Sequence, residues 1–222
     1  CGRHFLYKGK SFDCQLKGNK AFAMFDVNTF TGRLEKGAAL AGIDLDRDQI
    51  NLMAVHAREL MAWNRKINLT AIKDPGEMAE KHFIDALAAN RFFENEKRIL
   101  DMGTGGGFPA IPLKILNPGL RITMVDSVRK KVNFLNHVVR TLGLTGIEAI
   151  HGRVESLAEL PEHARGYDAV MARGFAGLEK YAGLALPFLS SHGKIYALKG
   201  KQALEEITPH LEKTFKIIHD HY

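Results

Sequence analysis

Asp101, Gly103, Gly105 and Gly107 stand at alternate positions in the run LDMGTGGGFPAIP. Glycines so placed let the backbone turn sharply and come close to a ligand where any β-carbon would collide. A dinucleotide fingerprint needs G-x-G-x-x-G, and here Phe108 takes the sixth place. The pattern is instead D-x-G-x-G-x-G, an acid two residues ahead of the first glycine. Asp126, which ends the apolar run RITMVD, lies 25 residues beyond Asp101. A carboxylate there accepts both hydroxyls of a ribose, so the two features together point to an adenosine-containing ligand without choosing which one. Arg173 ends another apolar run, YDAVMAR, and Arg153, Val154 and Glu155 follow IEAIHG. In an open α/β sheet such strand ends face the ligand.

Other chemistries drop out. Neither GxxxxGK[ST] nor HExxH occurs, which removes phosphate-loop hydrolases and zincins. The ten histidines lack ligand spacing, so no metal is expected. Both cysteines, Cys1 and Cys14, lie in the head of the chain; from Met24 onward a cysteine nucleophile, a thiolate site and a disulfide framework are excluded. A reducing cytoplasm is the simplest setting, and no apolar run is long enough to span a membrane.

These residues need elements to position them. The 222 residues, 45% hydrophobic and 25% charged, suit one large domain with an extension. Apolar residues at Ile50, Met53, Ala54, Ala57, Leu60 and Met61 mark one helix face, and a second helix is expected from Pro75 to about Phe92. From Arg98 the pattern changes to short runs rich in Ile, Leu, Val and Met alternating with helical segments, the clearest being Ser127–Leu142 behind a serine cap. Such alternation predicts an α/β fold, a parallel doubly wound sheet with helices on both faces, preceded by a helical region over 24–97. FKIIHDHY reads as a sixth strand.

Charge is uneven. The net +6 falls to +2 once residues 1–23 are set aside, since that head holds five bases against one acid. The head is read as an appended segment, with native translation beginning at Met24. Local clusters must therefore carry any nucleic-acid argument. Arg129, Lys130 and Lys131 open a helix, where cations oppose the dipole, so RNA phosphate and a solvated polar face stand as equal explanations. Lys199 and Lys201, with Arg65, Lys66, Arg153 and Arg173, would ring the ligand edge with positive charge.

The D-x-G-x-G-x-G run resembles the loop by which Rossmann-like class I methyltransferases hold S-adenosylmethionine. More specifically, WNRKINLTAI (63–72), KHFIDAL (81–87), ILDMGTGGGFPAIPLKI (99–115), VDSVRKKVNFL (125–135), HGRVES (151–156), MARGFAGL (171–178) and ALKGK (197–201) resemble, in order, the blocks of the bacterial small-subunit (16S) ribosomal RNA guanine-N7 methyltransferases, the glucose-inhibited division protein B family. The resemblance spans about residues 26–215. It implies S-adenosylmethionine held by Gly103, Phe108, Val154, Glu155 and Arg173, alongside Asp101, Gly105, Gly107 and Asp126. Arg173 and Arg153 are then the groups expected to position substrate or cofactor. The RNA candidates are Asn64, Arg65, Lys66, Asn68, Arg129, Lys130, Lys131 and Lys199. His82 and Asp85 fall in a family block too, with buried hydrogen bonding as strong an explanation as RNA contact. The implied partner is 16S ribosomal RNA, naked or in the small subunit. The likeness to methyltransferase sheets, which usually finish with a further antiparallel strand paired to the sixth, implies that the natural protein continues past Tyr222 and that this chain has a sheet edge prone to pairing.

Guanine N7 carries a lone pair and no proton, so its methylation needs positioning and no general base. ARGF after the fourth strand lacks the Asn/Asp-Pro-Pro-aromatic block associated with methylation of exocyclic amines. Two other readings remain open on the residues alone: a sensor that binds the cofactor and transfers nothing, and a methyltransferase for a small molecule or a protein.

Overall fold

A computed structural model describes residues 4–7, 10–13, 25–93 and 96–217. In the head, His4–Tyr7 (β1) and Lys10–Asp13 (β2) pair as an antiparallel hairpin. Three helical segments follow. Helix α1 (Val27–Leu40) starts where Asp26 Oδ1 accepts the Thr29 amide at 3.0 Å. Helix α2 (Arg47–Asn64) starts with a reciprocal box between Asp46 and Gln49, which satisfies two of its orphan donors. The third begins at Pro75, whose missing amide costs nothing in a first turn, with Asp74 accepting from Glu77 N at 2.8 Å. It runs on through α3 (Pro75–Met78), a π turn (Ala79–Ile84), α4 (Asp85–Ala88) and a 3₁₀ turn ending at Phe92.

The main sheet contains β3 (Arg98–Met102), β4 (Arg121–Asp126), β5 (Ile147–His151), β6 (Tyr167–Arg173) and β7 (Leu189–Leu198), all parallel, in the order β5-β4-β3-β6-β7. Parallel neighbours need crossovers, and helices supply them: α5 (Ala110–Leu116), α6 (Arg129–Thr141), α7 (Val154–Ala158) and α8 (Leu178–Ala185). Strand order reverses between β3 and β6, so the crevice between them opens at the carboxyl edge.

The strands alternate their loyalties. Ile99, Ile122, Met124, Ala169 and Met171 join the core shared with α1, α2, α5 and α6, whereas Leu100, Val125, Val170 and Ala172 pack with α7 and α8. The helices before β3 therefore add a layer on one face. They also cover that face beside β7: Phe93 packs on Tyr196 at 4.8 Å, whose hydroxyl donates to Phe92 O at 2.7 Å. Phe30 and Phe83, both fully buried and edge-on at 5.0 Å, tie α1 to the π turn. Each such ring contributes about 1.5–3 kcal/mol by burial.

Two local expectations are corrected. Ser127 does not cap α6: the N-cap is Val128, no side chain caps the helix, and the turn before it is fixed by the Val128 amide donating to Asp126 Oδ1 at 2.8 Å. The sixth strand is absent over Phe215–Ile217, which follow helix α9 (Pro209–Thr214) without pairing; residues 218–222, the rest of that expected strand, lie outside the described residues. Apolar alternation marks a segment as able to pair, but a strand also needs a free edge in register.

Candidate functional site

All five parallel strands end on one edge, bringing together loop 103–108, Asp126, Arg153–Glu155 and Arg173. The glycine loop is fastened to β4. Gly103 N and Thr104 N both donate to Val125 O, and Gly105 N donates to Asp126 Oδ2 at 3.1 Å. Gly103, Gly105 and Gly107 have φ of +70°, +56° and +86°, the left-handed region where a side chain is strained. A β-carbon on Gly107 would also lie 2.5 Å from Ile111 Cδ1, and one on Gly103 2.6 Å from Phe175 Cδ2. Phe175, in the loop after β6, thus closes over Gly103.

Beneath this loop Asp101 is fully buried, and neither its carboxylate oxygens nor the neighbouring Thr104 hydroxyl makes a hydrogen bond of regular geometry, although that hydroxyl lies close enough to Asp101 to favour its ionised form. Burial raises the Asp101 carboxyl to about 7, with the nearby Thr104 hydroxyl first and Arg173 second pulling weakly the other way. An unpaired buried carboxyl is costly, and a cationic ligand group would relieve it. Asp126, 6% exposed, uses one lone pair on each oxygen for the Gly105 and Val128 amides. One lone pair on each remains for ribose hydroxyls. The chemistry of these residues fits S-adenosylmethionine, whose ammonium would suit Asp101 and whose ribose would suit Asp126.

Helix α2 backs the loop from below. The fully buried His56 donates from Nε2 to Gly106 O at 2.9 Å and stacks on Phe108 at 4.8 Å. Its pKa is lowered to about 4, chiefly by burial, so it stays neutral. Phe108, 5% exposed, lies between His56 and His82, the latter stacked at 4.7 Å.

The β6 side is assembled differently. Arg173 donates to His82 Nδ1 at 3.0 Å, Asp85 Oδ2 at 3.2 Å and Lys81 O at 3.2 Å, and its guanidinium lies 5.2 Å from the Phe108 centroid. Since a guanidinium only donates, His82 Nδ1 must accept, which puts the imidazole proton on Nε2, donating to Thr70 Oγ1 at 2.7 Å. Burial first, then Arg173, lowers the His82 pKa to about 4. Thr70 in turn accepts from Ile72 N at 3.0 Å. The loop 65–70 is closed by Asn64, which accepts from the Leu69 and Thr70 amides and donates to Thr70 O at 2.8 Å. A continuous chain of hydrogen bonds therefore joins that loop to the end of β6.

The remaining candidates separate by environment. Arg65, Lys66 and Asn68 are exposed on the loop that Asn64 closes; Arg129 and Lys130 are exposed at the start of α6, and Lys131 is half-buried. Arg153 and Glu155 are exposed at the start of α7, with Val154 buried. Lys199 is 15% exposed in its side chain and bound to both Glu206 oxygens at 2.6 Å, while Glu206 Oε2 also accepts from Leu178 N. The Lys201 side chain lies outside the described residues. His56, Thr104 and Phe175 were not singled out by sequence. For His56 a signal existed, a histidine three residues after Met53 on the apolar stripe of α2; for Phe175 no local pattern distinguishes it from core.

Comparisons with known proteins bear on the family to which the chain belongs. A sequence profile of the GidB family, described as rRNA small subunit methyltransferase G, matches residues 49–220. The ribosomal RNA small subunit methyltransferase G of Geobacter sp. (strain M21) is 45% identical over 174 residues, covering 78% of this chain and 79% of that protein. Its counterpart in Desulforamulus reducens is 40% identical over 183 residues, covering 82% and 76%. Among solved structures, the Podospora anserina methyltransferase PaMTH1 aligns with 83% of this chain and 72% of its own at a TM-score of 0.47 and 15% identity. With three quarters of its length matched, and its glycine loop and Arg173 inside that span, the chain belongs to the rRNA small subunit methyltransferase G family.

Proposed function

We propose that the protein transfers a methyl group from S-adenosylmethionine to N7 of a guanine in 16S ribosomal RNA, in the cytoplasm, with the RNA naked or within the small subunit. The observation that carries the cofactor reading is the fully buried Asp101 under the glycine loop, whose carboxylate makes no hydrogen bond of regular geometry. When bound, the sulfonium supplies an electrophilic methyl group that needs no activation by the protein. Asp101 would hold the ammonium, Asp126 the ribose, and Val154 and Glu155 the adenine edges. Phe108 supports the pocket from within the aromatic stack, and Arg173, held by three acceptors, stays aimed along the edge.

The N7 assignment is supported by what the two nearby histidines are doing. His82 has Nδ1 occupied by Arg173 and its proton committed to Thr70, and His56 donates to Gly106 O, so neither is placed to remove a proton from a substrate. N7 asks for none. The methylated base becomes cationic, so Arg153 and Arg173 are assigned to phosphate, the cofactor carboxylate or guanine O6, away from the charge that develops. Incubation with unmethylated ribosomal RNA, nuclease digestion and mass spectrometry should give 7-methylguanine at one site. A methylated amine, ribose or pyrimidine would overturn the assignment, and tight cofactor binding with no transfer to RNA would favour a sensor.

A further inference from the structure

Away from the glycine loop, a groove runs between the C-terminal end of α2 and the flank of α6, lined by Trp63, Asn133, Asn136, His137 and Arg140. Its floor is aromatic: Trp63 is half-buried, packed on Phe134 at 5.7 Å and tilted against His137 at 5.3 Å. His137 is fixed by Glu59, Nε2 to Oε2 at 2.9 Å, so the floor is rigid. Its wall is polar and unspent. Asn133, Asn136 and Arg140 are exposed and make no side-chain bond within the described protein. With Arg129 they fall at i, i+4, i+7 and i+11, one face of α6. That stripe starts at the carboxyl edge of the sheet, where Arg129 lies, and leads away from it down the helix. Helix α6 carries Arg129, Lys130, Lys131 and Arg140 and no acid.

An aromatic face, amide groups and cations along one line match a single-stranded nucleic acid, whose bases stack on aromatics while its phosphates seek positive charge. A duplex would bring no free base face to Trp63. We propose that this groove is an RNA subsite that takes an unpaired nucleotide flanking the target guanine, its base on Trp63, its edges against Asn133 and Asn136, and its phosphate on Arg140. The proposal deepens the RNA methyltransferase reading and rests on it. It also gives the loop 65–70 a purpose, since that loop leaves Trp63 directly and connects through Thr70 and His82 to Arg173.

Trp63 is the sole tryptophan, so its fluorescence reports on the groove without any methyl transfer. Titration of the full chain with a short unstructured oligoribonucleotide should quench it saturably, and a hairpin duplex of equal length should do so far less. Trp63→Leu should weaken binding of labelled single strand by roughly 5- to 100-fold, as loss of one stacked base implies. Because that variant also disturbs Phe134 packing, Arg140→Ala and Asn136→Ala serve as surface tests. Arg140→Ala should raise the KM for RNA and reduce the salt slope of binding by about one, with S-adenosylmethionine affinity and the unfolding curve unaltered. Methylation of RNA without quenching would overturn the groove and leave the activity standing. Equal quenching by duplex would overturn the stacked base, and Arg140→Ala acting only on association with the assembled subunit would make this a protein contact instead. Quenching with no methyl transfer to any RNA would sustain the groove while sinking the activity.

Discussion

At the β4 end of the edge, the ligand loop is held by its nearest neighbours: Gly103 and Thr104 bond to Val125, Gly105 to Asp126, and the loop turns on three left-handed glycines. At the β6 end, Arg173 is held by a helix that precedes it by 91 residues, through His82, Asp85 and Lys81 O. The first arrangement is a property of one short segment and depends on backbone geometry. The second exists only because the helical layer packs on the sheet and presents three acceptors to one guanidinium. Disturbing the first should change ligand binding and folding together, whereas disturbing the second should change the aim of one side chain.

The largest expected effect is at Asp101. Its carboxyl ionises at about 7 in the folded protein against 3.8 in the unfolded chain, so the folded state holds this proton more tightly. The resulting stability is fully present below pH 4 and is lost as pH rises to about 7. Asp101→Asn should therefore match the wild type near pH 4 and exceed it in urea stability above pH 7, with an upper bound of roughly 4 kcal/mol. The same change should weaken S-adenosylmethionine binding. In the wild type that affinity should rise as pH increases from 6 to 8, because the ammonium needs the ionised carboxylate, and the variant should show a flat profile by calorimetry. A parallel rise in the variant would remove Asp101 from the site.

Next come the glycines, which test whether the loop is limited by backbone conformation or by space. Gly105→Ala meets nothing closer than 3.9 Å and should cost only its left-handed strain, about 1–2 kcal/mol. Gly107→Ala adds the collision with Ile111 and should cost about 2–4 kcal/mol in chemical denaturation, strain and overpacking combined. Equal costs would mean that Ile111 yields freely.

This contrast also separates what could be read from the chain alone. The glycine loop was legible because its requirement is local: three alternate positions with φ above zero are met at least strain by glycine whatever packs around them. The sheet was legible from alternating strand and helix patterns for the same reason. The acceptors around Arg173 were not, because the types of His82 and Asp85 fit a buried network and an RNA contact equally until the π turn is placed beside β6. His56 was hidden by appearing as one polar position within an apolar stripe. The serine cap failed because propensity identified a hydroxyl able to cap, whereas the turn before α6 is fixed by Asp126 accepting the Val128 amide; the expected sixth strand lies mostly outside the described residues.

A double-mutant cycle sharpens the β6 side. His82→Gln keeps an amide near Thr70 but withdraws the acceptor from Arg173, and Arg173→Ala removes the cation. Each alone should lower kcat/KM, Arg173→Ala by about 1–3 kcal/mol, while the double variant should cost little more than Arg173→Ala. The coupling should be about 1 kcal/mol. Additive losses would show that His82 acts without Arg173, and a changed unfolding curve for Arg173→Ala would make its role structural.

The smallest effect is expected at Lys199, although it lies among the cations predicted to ring the edge. Its ammonium is bound to both Glu206 oxygens, and Glu206, its carboxyl held below the usual range by that bond, also accepts the Leu178 amide at the start of α8. A cation so engaged neutralises an acid before it can attract phosphate. Lys130, exposed and unpaired at the opening of α6, has no such commitment. Lys130→Ala should lower the slope of log affinity against log salt by about one, whereas Lys199→Ala should leave it nearly unchanged. Removing Lys199 exposes the Glu206 carboxylate, so a modest loss of RNA affinity from added negative charge is consistent with this placement. Glu206→Gln separates the cases: it frees the lysine, so RNA affinity should increase if the ion pair is what withholds Lys199 from phosphate. An unchanged affinity in Glu206→Gln would place Lys199 beyond the path of the RNA altogether.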